Sequence, residues 1–107
     1  MMDHMHMVKW VACVLEGNVR EAKKYATKAH ELRNHHRMAA DWCRDMAQAH
    51  LGFNTAGHTL FERTINEMDS SGEYAAMMPG VRAVYEDRIQ DIMQDTAEIK
   101  AMIEMYK

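Results

Sequence analysis

The sequence has few of the cysteines that stabilise small secreted proteins and lacks the long apolar runs that cross membranes. Of its 107 residues, two are cysteine, one is proline, two are phenylalanine and two are tryptophan. Cys13 and Cys43 are too few for a disulfide framework, which predicts a reduced, cytoplasmic setting. The apolar run from Val8 to Leu15 is interrupted by Lys9 and is too short for a membrane span or a signal peptide. We therefore expect neither a membrane-bound nor a disulfide-stapled protein.

The short motifs that carry common chemistries are also missing. The sequence contains no glycine-rich phosphate loop, no nucleophile elbow and no Cys-x-x-Cys pair. A chain of 107 residues builds one core and leaves little room for an interior active site. The sequence thus predicts a non-enzymatic protein without a cofactor.

Charge is divided unevenly along the chain. Residues 1–37 carry seven Lys or Arg and four acids, whereas residues 38–107 carry six bases and twelve acids, within a net charge of −3. This division predicts a basic helix that faces acidic helices, either within the fold or between subunits. It argues against direct nucleic-acid binding, which favours a basic net charge and a patch interleaved with aromatics.

Helix signals divide the chain into four segments of a single domain, residues 1–107. Gly17 predicts the end of the first segment, and Asn18 with Glu21 three residues later matches a helix N-cap and its capping-box acid. Asp69-Ser70-Ser71-Gly72 predicts a loop, and Pro79 suits the first turn of the last helix. The segments are an N-terminal segment over 1–17, a helix over 18–33, a long helix over 37–69 and a long helix over 79–106.

The predicted fold is all-α. It is an elongated antiparallel bundle of long helices with a shorter N-terminal helix stacked on the end of the second one. Val8, Val11 and Val14 also permit a strand, so the conformation of residues 1–16 stays open.

Two apolar rows run along the segment 37–69 at steps of three and four residues. The first row comprises Ala39, Trp42, Met46, Ala49, Phe53, Ala56 and Leu60, and the second row comprises Cys43, Ala47, Leu51, Phe61, Ile65 and Met68. Two rows are more than one neighbouring helix can cover, which predicts a homo-oligomer, most simply a two-fold dimer, and contact with a protein partner. Gly52 and Gly57 predict either close helix approach or a local bend. The predicted interaction surface consists of Trp42, Met46, Phe53 and Phe61 with the acids Glu86, Asp87, Asp91 and Asp95.

Histidines recur on the same long helix at spacings that suit metal ligands. His50, Asn54, His58 and Glu62 follow one another every four residues along one side. His50 and His58 are eight residues apart, which is about 12 Å along a helix and too far for one ion. Polar positions hydrogen-bonded along a helix seam explain the pattern more simply. A metal site at His50, His58 and Glu62 would require ligands from another helix or subunit.

Three stretches carry a family resemblance over about residues 19–107. They are residues 25–32, residues 46–52 leading to His58, and above all residues 81–85 with 97–107. Together they resemble small, mostly uncharacterised phage and prophage proteins whose fold looks ferritin-like. The resemblance implies a helical protein that acts in virion assembly or in the infected host. It also implies two alternatives, an inhibitor of a host defence system of the anti-CRISPR kind and a ferritin-like metal-binding protein with a degenerate site.

The implied metal site is depleted in this chain. Where relatives carry Glu-Glu-Leu-Gly-His, the residues are Ala49-His50-Leu51-Gly52-Phe53, and the last helix has Arg88-Ile89 where a Glu-His pair is expected. His58 is the one position that matches. Ferritin-like sites need carboxylates from several helices, so the resemblance does not imply an intact di-iron centre.

Overall fold

The computed structural model describes residues 4–106, which form three helices and contain no strand. They are α1 (His4–Leu32), α2 (Arg37–Ser71) and α3 (Met78–Met105). Successive helices run antiparallel in a bundle of 56 × 26 × 17 Å. The radius of gyration is 16.8 Å, compared with about 13 Å for a globular domain of this size. The prediction of an elongated, antiparallel all-α bundle is confirmed, with three helices where four were expected.

The predicted break at Gly17 and Asn18 is wrong, because α1 continues through both residues. Asn18 does not cap a helix. Its Nδ2 donates to the His50 carbonyl at 2.5 Å and its Oδ1 accepts from His50 Nδ1 at 2.6 Å, so its side chain joins α1 to α2. Gly17 costs up to about 1 kcal/mol inside a helix. Burial of Leu15 and Val19 on either side outweighs that cost.

The remaining boundaries agree with the predicted ones to within two residues. The turn after α1 is closed by the His35 and His36 amides, which both donate to the Leu32 carbonyl. Gly72 ends α2 with φ of 71°, a left-handed conformation that glycine adopts without strain. Pro79 lies in the first turn of α3, where its missing amide hydrogen is not needed.

The core lies along the inner side of α1, which packs against both other helices. The second row of α2 is buried there, together with small and aliphatic residues of α1 and with Val81, Ile92 and Ile99 of α3. Close approach of α1 to α2 is visible at Gly57, where an added Cβ would lie 2.8 Å from Leu15 Cδ2. A Cβ at Gly52 would meet nothing within 4 Å. Gly57 therefore marks a close helix approach and Gly52 does not.

Phe61 is the member of the predicted interaction surface that the structure places in the core. Its side chain is 6% exposed, and its ring packs edge-on against Tyr85 of α3 with centroids 5.5 Å apart. Phe61 belongs to the second row, which faces the space between α1 and α3. The prediction that Phe61 contributes to an interaction surface is therefore wrong.

The end of α3 is fixed by a cluster around Tyr106, which is 1% exposed. The Tyr106 hydroxyl donates to Asp41 Oδ1 at 2.6 Å, and the guanidinium groups of Arg37 and Arg44 each lie 5.2 Å from the ring centroid. His30 of α1 donates from Nε2 to the Met102 carbonyl at 2.7 Å. Cationic groups at a helix C-terminus interact favourably with its dipole. The cluster joins all three helices at one end of the bundle.

Opposite charges of α1 and α3 meet within the chain. Arg88 binds both carboxylate oxygens of Glu16 at 2.9 and 3.0 Å, and Lys23 lies 3.4 Å from Glu98. The contact of Lys23 with Glu98 has the predicted sense, a base of α1 against an acid of α3, whereas the pair of Glu16 with Arg88 has the opposite sense. The predicted pairing of basic and acidic helices within one chain is therefore seen in part.

Candidate interaction surface

The first row of α2 lies on the surface of the bundle. Trp42, Phe53 and Leu60 are each 57% exposed. Between them, Ala49 and Ala56 are exposed and Met46 is half-buried. α1 and α3 cover the second row and leave this one uncovered because the two rows lie on different sides of the helix. We call the first row, Ala39 to Leu60, the apolar row.

A second set of apolar residues on α1 lies beside the apolar row. Met7 is 46%, Trp10 55% and Val14 37% exposed, and their spacing of three and four residues places them on one side of α1. One turn after Val14 comes Asn18, whose hydrogen bonds to His50 fix this side of α1 next to α2. The apolar surface therefore extends from α2 onto α1.

A hollow of about 380 Å³ opens in the middle of this surface. It is lined by Asn18 of α1 and by Met46, Ala49, His50 and Phe53 of α2. The small side chain of Ala49 leaves the space beside the Phe53 ring unfilled. The surface thus carries a protruding aromatic ring and a hollow next to each other.

Trp42 closes one end of the surface through aromatic contacts. Its ring meets Tyr25 of α1 edge-on with centroids 5.7 Å apart, and Tyr25 stacks on His50 at 5.4 Å. These contacts hold the Trp42 ring in place while more than half of the side chain stays exposed. A held aromatic side chain loses little conformational entropy on binding, which favours its use in an interface.

The three metal candidates are not brought together. His50 faces α1 and is hydrogen-bonded to Asn18, whereas His58 faces α3, where its Nε2 lies 3.1 Å from the Tyr85 hydroxyl. Glu62 Oε2 is 4.0 Å from His58 Nε2. Within residues 4–106, no group of three or more His, Cys, Asp or Glu side chains is placed to hold a metal ion. The interpretation as polar groups hydrogen-bonded along helix seams agrees with His50 and His58, whereas the Oδ1 atom of the buried Asn54 has no hydrogen-bond partner.

The pKa of Tyr85 reflects its place in that seam. Burial of the hydroxyl raises the pKa above its usual value, the Glu62 carboxylate raises it further, and the Arg82 guanidinium lowers it. Tyr85 thus stays protonated at neutral pH. Its ring also stacks on His58 with centroids 6.2 Å apart, so the pair acts as a packing contact between α2 and α3.

The predicted acidic residues lie on the outer part of α3. Glu86, Asp87 and Asp91 are exposed, and Asp95 is half-buried. Asp91 and Asp95 line a shallow cleft that also includes Arg20 of α1. Part of this acidic surface is therefore close to a base of the same chain.

Sequence reasoning missed several residues of the apolar surface. Met7, Trp10 and Val14 repeat at steps of three and four, a signal of one helical side that was available but was hidden by the alternative of a strand. Leu60 belongs to the first row but not to the predicted interaction surface, although it is as exposed as Trp42. Met38, 89% exposed, precedes the row on α2.

Comparisons of this chain with protein-family models, with curated proteins and with solved structures give no match. Within residues 4–106, no helix combines the length and apolar character that a membrane crossing requires.

Proposed function

We propose that this protein is a non-enzymatic helical protein that acts through protein-protein association, and that the apolar surface of α1 and α2 is where it associates. The uncovered apolar row carries the proposal. Exposed apolar patches of this continuity are typical of interaction sites in soluble proteins. The surface contains two tryptophans and a phenylalanine, and aromatic residues are enriched in protein interfaces.

The simplest associated form is a homodimer. An isologous two-fold contact uses the same surface on both copies, so one uncovered patch is sufficient. The apolar surface lies on α1 and α2, so a dimer formed through it brings four helices together, two from each copy, which is the number in a ferritin-like bundle. A phage or prophage origin, with a role in virion assembly or in the infected host, fits a small protein that works by binding.

Replacing Phe53 with aspartate tests this proposal. The substitution puts a charge into the centre of the apolar surface, where association would bury it, so we expect the associated form to disappear at micromolar concentration. Light scattering coupled to size-exclusion chromatography measures the mass over a series of concentrations.

Met93→Asp is the matched control. Met93 is 58% exposed, almost the same as Phe53, but it lies on α3 away from the apolar surface. We expect it to leave the mass unchanged. A wild-type chain that is monomeric throughout the series would contradict the proposal, as would equal effects of both substitutions.

A second candidate function is inhibition of a host defence nuclease. The exposed acids Glu86, Asp87 and Asp91 favour it, because an acidic surface can occupy a basic nucleic-acid channel. Replacing these three with Gln, Asn and Asn is expected to abolish inhibition of a sensitive nuclease while leaving the dimer mass unchanged. Inhibition that survives the triple substitution would exclude this role for the acidic surface.

A further inference from the structure

We propose that two copies associate by packing α2 antiparallel against α2 of the second copy, in a register centred on residue 51. This inference rests on the proposed self-association and adds its geometry. In this register, a residue that lies a given number of positions before residue 51 on one copy faces the residue that lies the same number of positions after residue 51 on the other copy.

The spacing of the apolar row is symmetric about this point. Its members follow at steps of 3, 4, 3, 4, 3 and 4 residues, the repeat by which helices pack side by side. Reversing one helix about position 51 places six of the seven residues opposite another member of the row. The facing pairs, each formed twice around the two-fold axis, are Trp42 with Leu60, Met46 with Ala56 and Ala49 with Phe53.

These pairs are complementary in size. Phe53 faces Ala49, and Met46 faces Ala56, so in these two pairs a large side chain meets a small one. A parallel pairing in register would instead oppose Phe53 to Phe53 and Ala49 to Ala49, which crowds one layer and leaves a void in the next. Interdigitation of large and small residues therefore selects the antiparallel arrangement.

Antiparallel registers shifted by one heptad pack the apolar side chains less well. A shift of one heptad in one direction opposes Met46 to Arg63 and Trp42 to Glu67, which places charges against apolar groups. A shift in the other direction opposes Trp42 to Phe53, two large rings in one layer. The register centred on residue 51 is the one in which Trp42, at the end of the row, still meets an aliphatic partner, Leu60.

In this register, the hollow beside Ala49 is where the Phe53 ring of the second copy binds. The partner's Phe53 lies opposite Ala49, and there the structure has about 380 Å³ of open space bounded by Asn18, Met46 and His50. A ring inserted between side chains of a facing helix is the knob-into-hole contact of helical bundles. The two-fold axis repeats the contact, so both rings are buried and both hollows filled.

The available area is on the scale of a stable dimer. An aromatic side chain exposes 150–250 Å² when free, so Trp10, Trp42 and Phe53, each more than half exposed, offer about 100 Å² apiece. Leu60, Met46 and the aliphatic residues of α1 bring the apolar total to the order of 600 Å² per copy, close to the ~800 Å² of a standard interface. The row between Trp42 and Leu60 contains no charge that this packing would bury.

Cysteine cross-linking tests the register. Ala39 and Arg63 are 24 residues apart, about 36 Å along α2, and lie opposite each other across the proposed interface. In a background of Cys13→Ser and Cys43→Ala, we expect Ala39→Cys and Arg63→Cys chains, one of them carrying a size tag, to cross-link with a short bis-maleimide after mixing. Neither variant alone is expected to cross-link, since its own two cysteines would be about 36 Å apart.

Each other outcome overturns the register. Cross-linking of either variant with itself would show parallel pairing. A dimer by light scattering that does not cross-link in the mixture would place the interface elsewhere and leave the proposed function standing. A monomer by light scattering would remove both proposals together.

A swap of two side chains provides an independent test. Phe53→Ala leaves the hollow beside Ala49 empty on both sides, and we expect the dimer dissociation constant to rise at least about 100-fold. The double variant Ala49→Phe with Phe53→Ala again pairs one ring with one small residue, and we expect its dissociation constant to return to within about tenfold of the wild type. A double variant as weak as the single one would overturn the register.

Discussion

Replacing Leu15 with alanine is expected to lower the free energy of unfolding by about 3 kcal/mol, because the change leaves a cavity where α1 approaches α2 closely. Leu15 is 2% exposed, and its Cδ2 lies against the backbone of Gly57. A Cβ at position 57 would lie 2.8 Å from this methyl carbon, so the Leu15 side chain would have to shift. Urea denaturation of the variant measures the effect.

The neighbouring Val14 provides the control. Its side chain is 37% exposed and lies outside the core. Val14→Ala is expected to change the free energy of unfolding by less than about 0.5 kcal/mol when the protein is dilute enough to be monomeric. Equal losses for the two variants would mean that residues before Gly17 do not pack as part of one long α1.

Replacing Tyr106 with alanine is expected to lower the melting temperature by about 10 °C or more, since the side chain is buried at the point where the three helices meet. The change removes the ring between Arg37 and Arg44 and the hydrogen bond to Asp41. Met105→Ala is the control, because Met105 is adjacent and 72% exposed. Equal melting temperatures of Tyr106→Ala and Met105→Ala would contradict the role of this cluster.

The same cluster predicts a pH dependence. The hydrogen bond from Tyr106 is the main reason that the pKa of Asp41 lies below its usual value, and the charges of Arg37 and Arg44 lower it further, against the effect of burial. A lowered carboxyl pKa stabilises the fold above the pKa of the unfolded chain. That stabilisation is lost as the pH falls through the lowered, folded-state pKa.

Thermal melts of Asp41→Asn and the wild type measure this effect. We expect the wild type to melt higher near neutral pH and the two curves to converge as the pH falls from about 5 to about 2. Asp45→Asn is the control, because Asp45 contacts Arg44 but not Tyr106. A difference between wild type and Asp41→Asn that is constant over this range would contradict the assignment.

The helices were predictable from the sequence because their apolar residues repeat with one period over many turns. The break at Gly17 was not, because Asn18 and Glu21 match a capping box equally well whether or not a helix ends there. What decides the matter is the contact of Asn18 with His50, 32 residues away. A pattern read within one turn of helix does not contain that information.

The candidate surface was predictable in part for a related reason. Periodicity showed that α2 has two apolar rows, but it does not say which row the other helices cover. Phe61 and Phe53 are the same residue type on the same helix, and yet Phe61 is 6% and Phe53 57% exposed. The positions of α1 and α3 around α2 decide which of the two rings is buried. These positions depend on contacts between distant residues, such as Leu15 with Gly57, that no local sequence pattern specifies.

The central position of α1 has a consequence for how the molecule opens. α3 packs mainly on α1, and its contact with α2 is smaller. We therefore expect that transient detachment of α3 leaves α1 and α2 as a helical hairpin, whereas detachment of α1 removes the contacts of both other helices with the core. In a hydrogen-exchange measurement, we expect the backbone amides of α3 to exchange through a partial unfolding of lower free energy and those of α1 to exchange only when the whole chain unfolds.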